Sequence, residues 1–180
     1  MKHIVILLGI LLFSYSAAFG DELVYSQDGF GLAQGSSVAI APFQDLTRSL
    51  AVGDKFAGYI AQALKQEGTI RIIGEDQFKT SLAYNRFKQG LSVDRSIAQK
   101  IGQQLGVNYV IFGSVIEYGY ELAPDGKKTL PIAGVDVRIV SVNSGRIVFA
   151  GSFATEGSPG SQLDNVAMEA AKAFYDRVRQ

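Results

Sequence analysis

The sequence contains no cysteine and no tryptophan, and its one histidine is His3. The absence of cysteine excludes disulfides, thiol redox chemistry and zinc sites built on thiolates. Because no histidine follows position 3, Ser-His-Asp and Cys-His catalysis are excluded for the rest of the chain. We therefore expect a protein that is not an enzyme, with no catalytic residue, no cofactor and no metal site. A hydrolase that uses carboxylates is the second alternative.

The chain also lacks an excess of charge of either sign. It has 17 Lys and Arg residues against 17 Asp and Glu residues, and its formal net charge is +0. Domains that bind nucleic acid or anionic membranes usually carry a basic patch or a strong positive charge. We therefore expect no nucleic acid among the partners of this protein.

The first 20 residues have the pattern of a secretory signal peptide. A basic second residue precedes the nearly continuous apolar run 4–13, and mostly small residues follow over 14–20. The run is shorter than the about 20 residues that span a bilayer, so we expect no direct membrane span. We predict cleavage near Gly20, with Ala18 as an alternative, and a periplasmic mature chain that starts at Asp21. Since direct lipid attachment at the cleavage point requires a cysteine, we expect no lipid anchor.

Periodicity and turn residues predict an α/β (α+β-like) fold, a mixed sheet with helices packed against it. Residues 21–36 contain three glycines and predict a flexible lead-in, and residues 37–180 form one domain. The predicted order is β-α-β-α-α-β-β-β-α. The predicted strands cover 37–42, 69–73, 109–118, 132–142 and 146–153, and the predicted helices cover 54–66, 76–88, 97–105 and 162–178.

The most informative stretch is 97–119. Apolar residues recur every four positions from Ile97 to Leu105, which predicts one face of a helix, and Gly106 supplies the left-handed residue that favours a helix end. An apolar strand follows, and Gly113 predicts a bulge or a close approach of another backbone. We expect Leu105 and Phe112 to be core residues.

This stretch resembles the CsgG family of bacterial outer-membrane secretion proteins. The family pattern is A-x-x-I-G-x-x-L-G-A/V-x-Y-hydrophobic-x-G-S-V-x-E/D, and residues 98–117 fit it closely. Segments 38–45, 53–64 and 136–147 resemble the family's first strand, first helix and late hairpin, so the resemblance covers 37–180. It implies an anticodon-binding-domain-like fold shared with LpoB and TolB N-terminal domains. It also implies a noncatalytic role in curli-type secretion or envelope assembly through binding of other envelope proteins, with self-association.

The sequence departs from that family where the family's membrane hairpins would be. A membrane-spanning strand needs about 9–11 alternating residues, and connection 121–129 is too short and too polar for a hairpin of two. We therefore predict a protein without its own transmembrane hairpins. The alternative is an LpoB-like activator of a peptidoglycan synthase. The absence of a cysteine for a lipid anchor and of a long linker counts against this alternative.

Four aromatic residues are candidate partner contacts. Tyr118 and Tyr120 fall on one face at the exposed end of the long strand, and Tyr84 and Phe87 lie near the end of the second helix. Aromatic side chains dominate interface hot spots, which favours binding of a partner. The structural alternative is that these rings only cover the edge of the sheet.

Overall fold

The structure is a computed structural model that describes residues 24–47, 49, 51–66, 68–85 and 92–179. The predicted signal peptide and Phe87 lie outside the described residues. Within them, strands and helices alternate along the first part of the chain, and a three-stranded meander and a last helix follow. The strands are β1 Val24–Ser26, β2 Ser37–Ile40, β3 Gln44–Asp45, β4 Arg71–Ile73, β5 Tyr109–Leu122, β6 Thr129–Ser141 and β7 Ile147–Glu156. The helices are α1 Val52–Lys65, α2 Glu75–Tyr84, α3 Arg95–Leu105 and α4 Leu163–Val178.

The described strands form one mixed sheet in the order β1-β7-β6-β5-β2-β4, with β3 paired to β5. β2 runs parallel to β4 and β5, because a helix connects each of these strands to the next. β5, β6, β7 and β1 pair antiparallel. The predicted fold class, a mixed sheet with helices packed against it, is confirmed, and from β2 onward the predicted order of elements is present with one addition, the two-residue strand β3.

The segment predicted as a flexible lead-in contains ordered structure over its described residues. β1 pairs with β7, and the Leu32 backbone N–H donates to the Val178 carbonyl at 2.6 Å. The Leu32 side chain is buried in the core. These contacts join residues more than a hundred positions apart, so no local pattern of glycines or polar residues predicts them.

Helices cover the two faces of the sheet unequally. α1 and α4 pack on one face, where Phe149, Phe153 and Phe174 meet with ring centroids 5.7–6.2 Å apart. α2 and α3 pack on the other face over a smaller cluster. The fully buried side chains of this second cluster include Ala39, Phe78, Ala98, Ile101, Val110 and Val140.

The α3–β5 unit confirms most of what its sequence predicts. Gly106 ends α3 with φ 64°, and Asp94 caps its start by accepting from the Ile97 backbone N–H at 2.9 Å. Phe112 is buried as predicted, whereas the prediction that Leu105 is a core residue is wrong, because this side chain is only partly buried at the margin of the second cluster.

Gly113 is a close approach rather than a bulge. A Cβ atom at Gly113 would lie 1.9 Å from the Asp136 carbonyl oxygen of β6. The bulge of β5 occurs later, where the register with β6 shifts between Val115 and Glu117. A bulge places one extra residue in a strand, and the side chains beyond it therefore exchange faces.

Candidate partner-binding site

β5 and β6 extend beyond the rest of the sheet as a two-stranded hairpin end. The last residue of β7, Glu156, pairs with Ile132, so residues 120–122 and 129–131 pair with each other beyond the end of β7, and the Gly157 backbone N–H just after β7 donates to the Pro131 carbonyl at 2.8 Å. We call residues 120–131 the ribbon. A turn closes it, in which Gly126 has φ 66° and the Asp125 carboxylate accepts from the Lys127 backbone N–H at 2.9 Å.

Large apolar side chains are exposed on one face of the ribbon. Tyr120 is 59% exposed and Leu122 is 70% exposed. Tyr118 lies on the same side of β5 as these two residues, because side chains two positions apart along a strand share a face. Exposed large apolar groups on a projecting hairpin mark a surface that can dock a partner.

Tyr118 anchors the base of the ribbon to two helices. Its hydroxyl donates to the Asp164 carboxylate in the first turn of α4. Lys55 of α1 places its Nζ 3.3 Å from the same carboxylate oxygen and 3.3 Å from the Tyr118 hydroxyl. The Tyr118 ring packs edge-on against Phe56 at 6.3 Å. The strand is therefore held in a defined direction where it leaves the sheet.

The pKa values in this cluster favour a structural role. Burial and then the hydrogen bond to Asp164 raise the pKa of Tyr118 to about 12, and burial likewise raises the pKa of Tyr59. Hydrogen bonds from Tyr118 and Tyr59 lower the pKa of Asp164 below its ordinary value. At neutral pH both phenols keep their protons and the carboxylate stays ionised. The cluster is thus not poised for proton transfer.

The structure separates the predicted contact residues into two places. At the end of α2, Asn85 Nδ2 donates to Gln104 Oε1 at 2.5 Å, which places Tyr84 beside the end of α3 and near the start of β5. Tyr120 lies eleven residues beyond Tyr109 on β5, or about 35 Å at the usual rise per residue. Tyr84 is 82% exposed, but it does not share a surface with the ribbon.

A second charged cluster joins the starts of α1 and α2. Lys79 donates to Asp54 at 2.8 Å and pairs with Glu75. The hydrogen bond from Lys79 lowers the pKa of Asp54, whereas burial raises the pKa of Glu75. Because Lys79 bridges a carboxylate of α1 and one of its own helix, we assign this cluster a structural role, that of joining α1 to α2.

Over the described ranges, no three His, Cys, Asp or Glu side chains are placed to hold a metal ion. In the same part of the chain, no helix is long and apolar enough to cross a membrane.

The sequence profile of the family described as "Peptidoglycan-synthase activator LpoB" matches residues 34–154, which is 121 of the 180 residues. The chain belongs to the LpoB family. The match runs from the turn before β2 to the last residues of β7, and it includes the whole ribbon. No curated protein matches the chain.

Three solved structures show how widely this fold occurs. The PelC dodecamer from Paraburkholderia phytofirmans is 20% identical, with a TM-score of 0.64 over 89% of this chain and 100% of that one. A lipoprotein from Neisseria meningitidis is 14% identical, with a TM-score of 0.55 over 79% and 97%. The LpoB C-terminal domain from Escherichia coli is 18% identical, with a TM-score of 0.52 over 73% and 87%. At these identities the likeness concerns the fold alone.

The predicted membership of the CsgG family is wrong, because the matching family is LpoB, and the curli function that was inferred from CsgG is wrong for the same reason. The residues behind that resemblance serve the fold. A Cβ at Gly102 would lie 2.5 Å from Val142, Gly106 requires its left-handed conformation, and Gly113 faces the β6 backbone. Any family that packs α3 on β5 in this way needs the same small residues, so the pattern indicates the fold and does not identify the family.

The sequence analysis does not predict two exposed features of the structure. Leu122 was missed because the predicted strand ended at Tyr118, although the spacing of Tyr118, Tyr120 and Leu122 continues the strand period. The second is a part of the sheet without a helix over it, which depends on strand order and has no local signal.

Proposed function

We propose that this protein binds a peptidoglycan synthase in the cell envelope and raises its activity without catalysing a reaction itself. The observation that carries this proposal is the match to the activator family over residues 34–154.

We assign the contact with the synthase to the ribbon. Tyr120 and Leu122 present apolar area to solvent, and the Tyr118 cluster fixes the direction in which they project. A preorganised aromatic anchor loses little conformational entropy on binding, which favours its use as a hot spot. Tyr84, the last residue of α2, is an exposed tyrosine near the opposite end of β5 from the ribbon, and it serves as a matched control.

The proposal includes export to the periplasm with removal of residues 1–20 and a folded domain that extends over 37–180 together with β1. One of the solved structures with this fold is a lipoprotein, whereas this sequence contains no cysteine. The absence of a lipid anchor stays a prediction, which mass spectrometry of the N-terminus of the exported protein would test.

Self-association is a separate proposal, supported by the similar fold of PelC, whose structure is a dodecamer. Light scattering of the purified protein over a concentration series tests it. A mass that rises with concentration is the expected result, and a constant monomer mass would refute it.

The function is tested with a purified bifunctional peptidoglycan synthase from the same cells and a lipid-linked precursor. We expect the wild-type protein to raise the initial rate of glycan polymerisation several-fold. The double variant Tyr120→Ala with Leu122→Ala should lose most of this stimulation, and Tyr84→Ala should retain it.

Circular dichroism melting of all three proteins checks that each variant is folded. An unchanged synthase rate with wild-type protein would refute the proposed function. Stimulation that Tyr84→Ala abolishes and the ribbon variant keeps would refute the assignment of the ribbon.

A further inference from the structure

The α2/α3 face of the sheet is covered over only half of its width. α2 and α3 pack over β2, the first half of β5 and the end of β6. No described helix lies over the same face of β7 and β1. In this open area the small side chains of Ala150 and Ser152 lie between larger ones and leave a solvent-open pocket of about 310 Å³ between β1, β6 and β7. Its lining includes Val24, Tyr25, Asp136, Arg138, Ala150 and Ser152.

The register of the strands places all of these side chains except that of Val24, which packs toward the α1/α4 face, on one side of the sheet. Tyr25 pairs with Ala150, and Ala150 pairs with Arg138. Asp136 pairs with Ser152 in the same way. Side chains of paired residues share a face, so the Tyr25 ring, which is 52% exposed, stands at the β1 edge of a strip that carries both charges.

The two charges in the strip are opposite and are not neutralised by each other. Ser152 Oγ donates to one Asp136 carboxylate oxygen at 2.5 Å. Arg138 forms no ion pair with any residue that the structure describes, and this includes Asp136. A guanidinium can bind a carboxylate with two parallel hydrogen bonds, and a carboxylate with free lone pairs can accept from an ammonium group.

The spacing of these groups fits a ligand of two residues. Asp136 and Arg138 are two positions apart on a strand, which separates their Cα atoms by about 6.6–6.8 Å. A two-residue peptide has an extended length of about 7 Å between its ends, and the long, flexible Arg138 side chain can bring its guanidinium to the carboxyl end while the shorter Asp136 side chain meets the amino end. The pocket volume of about 310 Å³ leaves room for two small residues.

We propose that this pocket binds a short peptide with free ends, whose ammonium group lies on Asp136 and whose carboxylate lies on Arg138. The Tyr25 ring covers the apolar side of the ligand. The pocket is on the opposite face of the sheet from Tyr118 and Tyr120, because the pairing partners of these tyrosines, Ala133 and Pro131, alternate with the face of Asp136. It is therefore separate from the ribbon.

Calorimetric titration of the exported chain with alanyl-alanine tests the proposal. Blocking the amino end as N-acetyl-alanyl-alanine, or the carboxyl end as the amide, should each weaken binding by about tenfold, since each removes one charge-assisted contact. Arg138→Gln and Asp136→Asn should weaken binding of the uncapped dipeptide to a similar extent. Arg146→Gln, which changes another exposed arginine, should not change it.

The variants also separate the two ends of the ligand. Asp136→Asn should abolish the preference for a free amino end, and Arg138→Gln should abolish the preference for a free carboxyl end. Absence of heat from the uncapped dipeptide, or equal binding of all capped forms, would overturn the proposal. In that case the charges only keep the open sheet face soluble.

A soluble fragment of cell-wall peptidoglycan with its stem peptide distinguishes a wall-derived ligand from a free peptide. This arm rests on the proposed function, and tighter binding of the fragment than of alanyl-alanine supports a wall-derived ligand, whereas weaker binding supports a free peptide. Both titrations omit the synthase. Failure of synthase stimulation therefore leaves the pocket result intact, and the reverse also holds.

Discussion

The two halves of β5 both carry large apolar side chains but have opposite environments. Residues 109–115 lie between β6 on one side and β2 and β3 on the other, with helices on both faces, and most of their side chains are buried. Residues 117–122 continue the same strand, yet Tyr120 and Leu122 are mostly exposed. The apolar residues of the first half are explained by stability. In the second half, Tyr118 still packs against Phe56, whereas Tyr120 and Leu122 bury little in the described fold and mark a surface for a partner.

The largest expected difference between the halves concerns Phe112 and Leu122. Phe112→Ala should lower the free energy of unfolding by about 3–5 kcal/mol, because it removes a buried ring and leaves a cavity. Leu122→Ala should change it by less than about 0.5 kcal/mol. Urea unfolding followed by circular dichroism measures both values, and similar losses for the two variants would break the comparison.

Gly113 in the first half of β5 and Gly119 in the second half allow the backbone environments of the two halves to be compared. In Gly113→Ala the new Cβ would meet the Asp136 carbonyl oxygen at 1.9 Å, so the strands must move apart. We expect a loss of about 1–3 kcal/mol, as for other overpacked sites. Gly119→Ala has no atom within 4 Å of its new Cβ and should be nearly neutral. Thermal melting compares them, and equal melting temperatures would contradict the close approach at Gly113.

Tyr118 lies where the two halves meet, and its hydroxyl should contribute a smaller amount. Tyr118→Phe removes the hydrogen bond to Asp164, which we expect to cost about 1 kcal/mol at pH 7. The pKa of Asp164 should rise in this variant, because the donor that lowers it is gone. A carboxyl titration followed by NMR measures this shift.

The effect of Tyr118→Phe should also depend on pH. A lowered pKa in the folded state stabilises the fold above the unfolded pKa of about 3.9, and this contribution is lost as pH falls through the folded pKa. The stability difference between wild type and variant should therefore be largest near pH 7 and shrink below about pH 3.9. A difference that stays constant between pH 7 and pH 3 would show that the Asp164 carboxylate is not involved.

The smallest expected effect on stability belongs to Tyr120. Tyr120→Ala should change the free energy of unfolding by less than about 0.5 kcal/mol, since most of the ring already contacts solvent. The same variant should nevertheless weaken binding to the synthase in a pull-down with purified proteins. A marked loss of stability without a loss of binding would assign Tyr120 to the fold instead of to the partner.

Much of the fold follows from local sequence. α3 could be predicted because its apolar positions recur every four residues and Gly106 supplies the left-handed end, and both signals act within one turn of helix. The β6–β7 hairpin follows similarly from the alternation of Val135, Val137 and Ile139 and from the turn at Gly145, which has φ 66°. The same local pattern does not distinguish the LpoB family from the CsgG family, because the glycines of 98–117 serve the packing of α3 and β5.

The sequence by itself therefore determined the helices, the longer strands and the absence of cysteine and histidine chemistry, because these depend on neighbouring residues or on composition. The tertiary structure decided three further features: the pairing of β1, the open half of the sheet and the face on which Tyr118 lies. The bulge after Val115 turns Tyr118 toward α1 and α4, where it meets Phe56 and Asp164. Each of these features depends on strands that are distant in sequence, and their order and register are set by burial over the whole sheet.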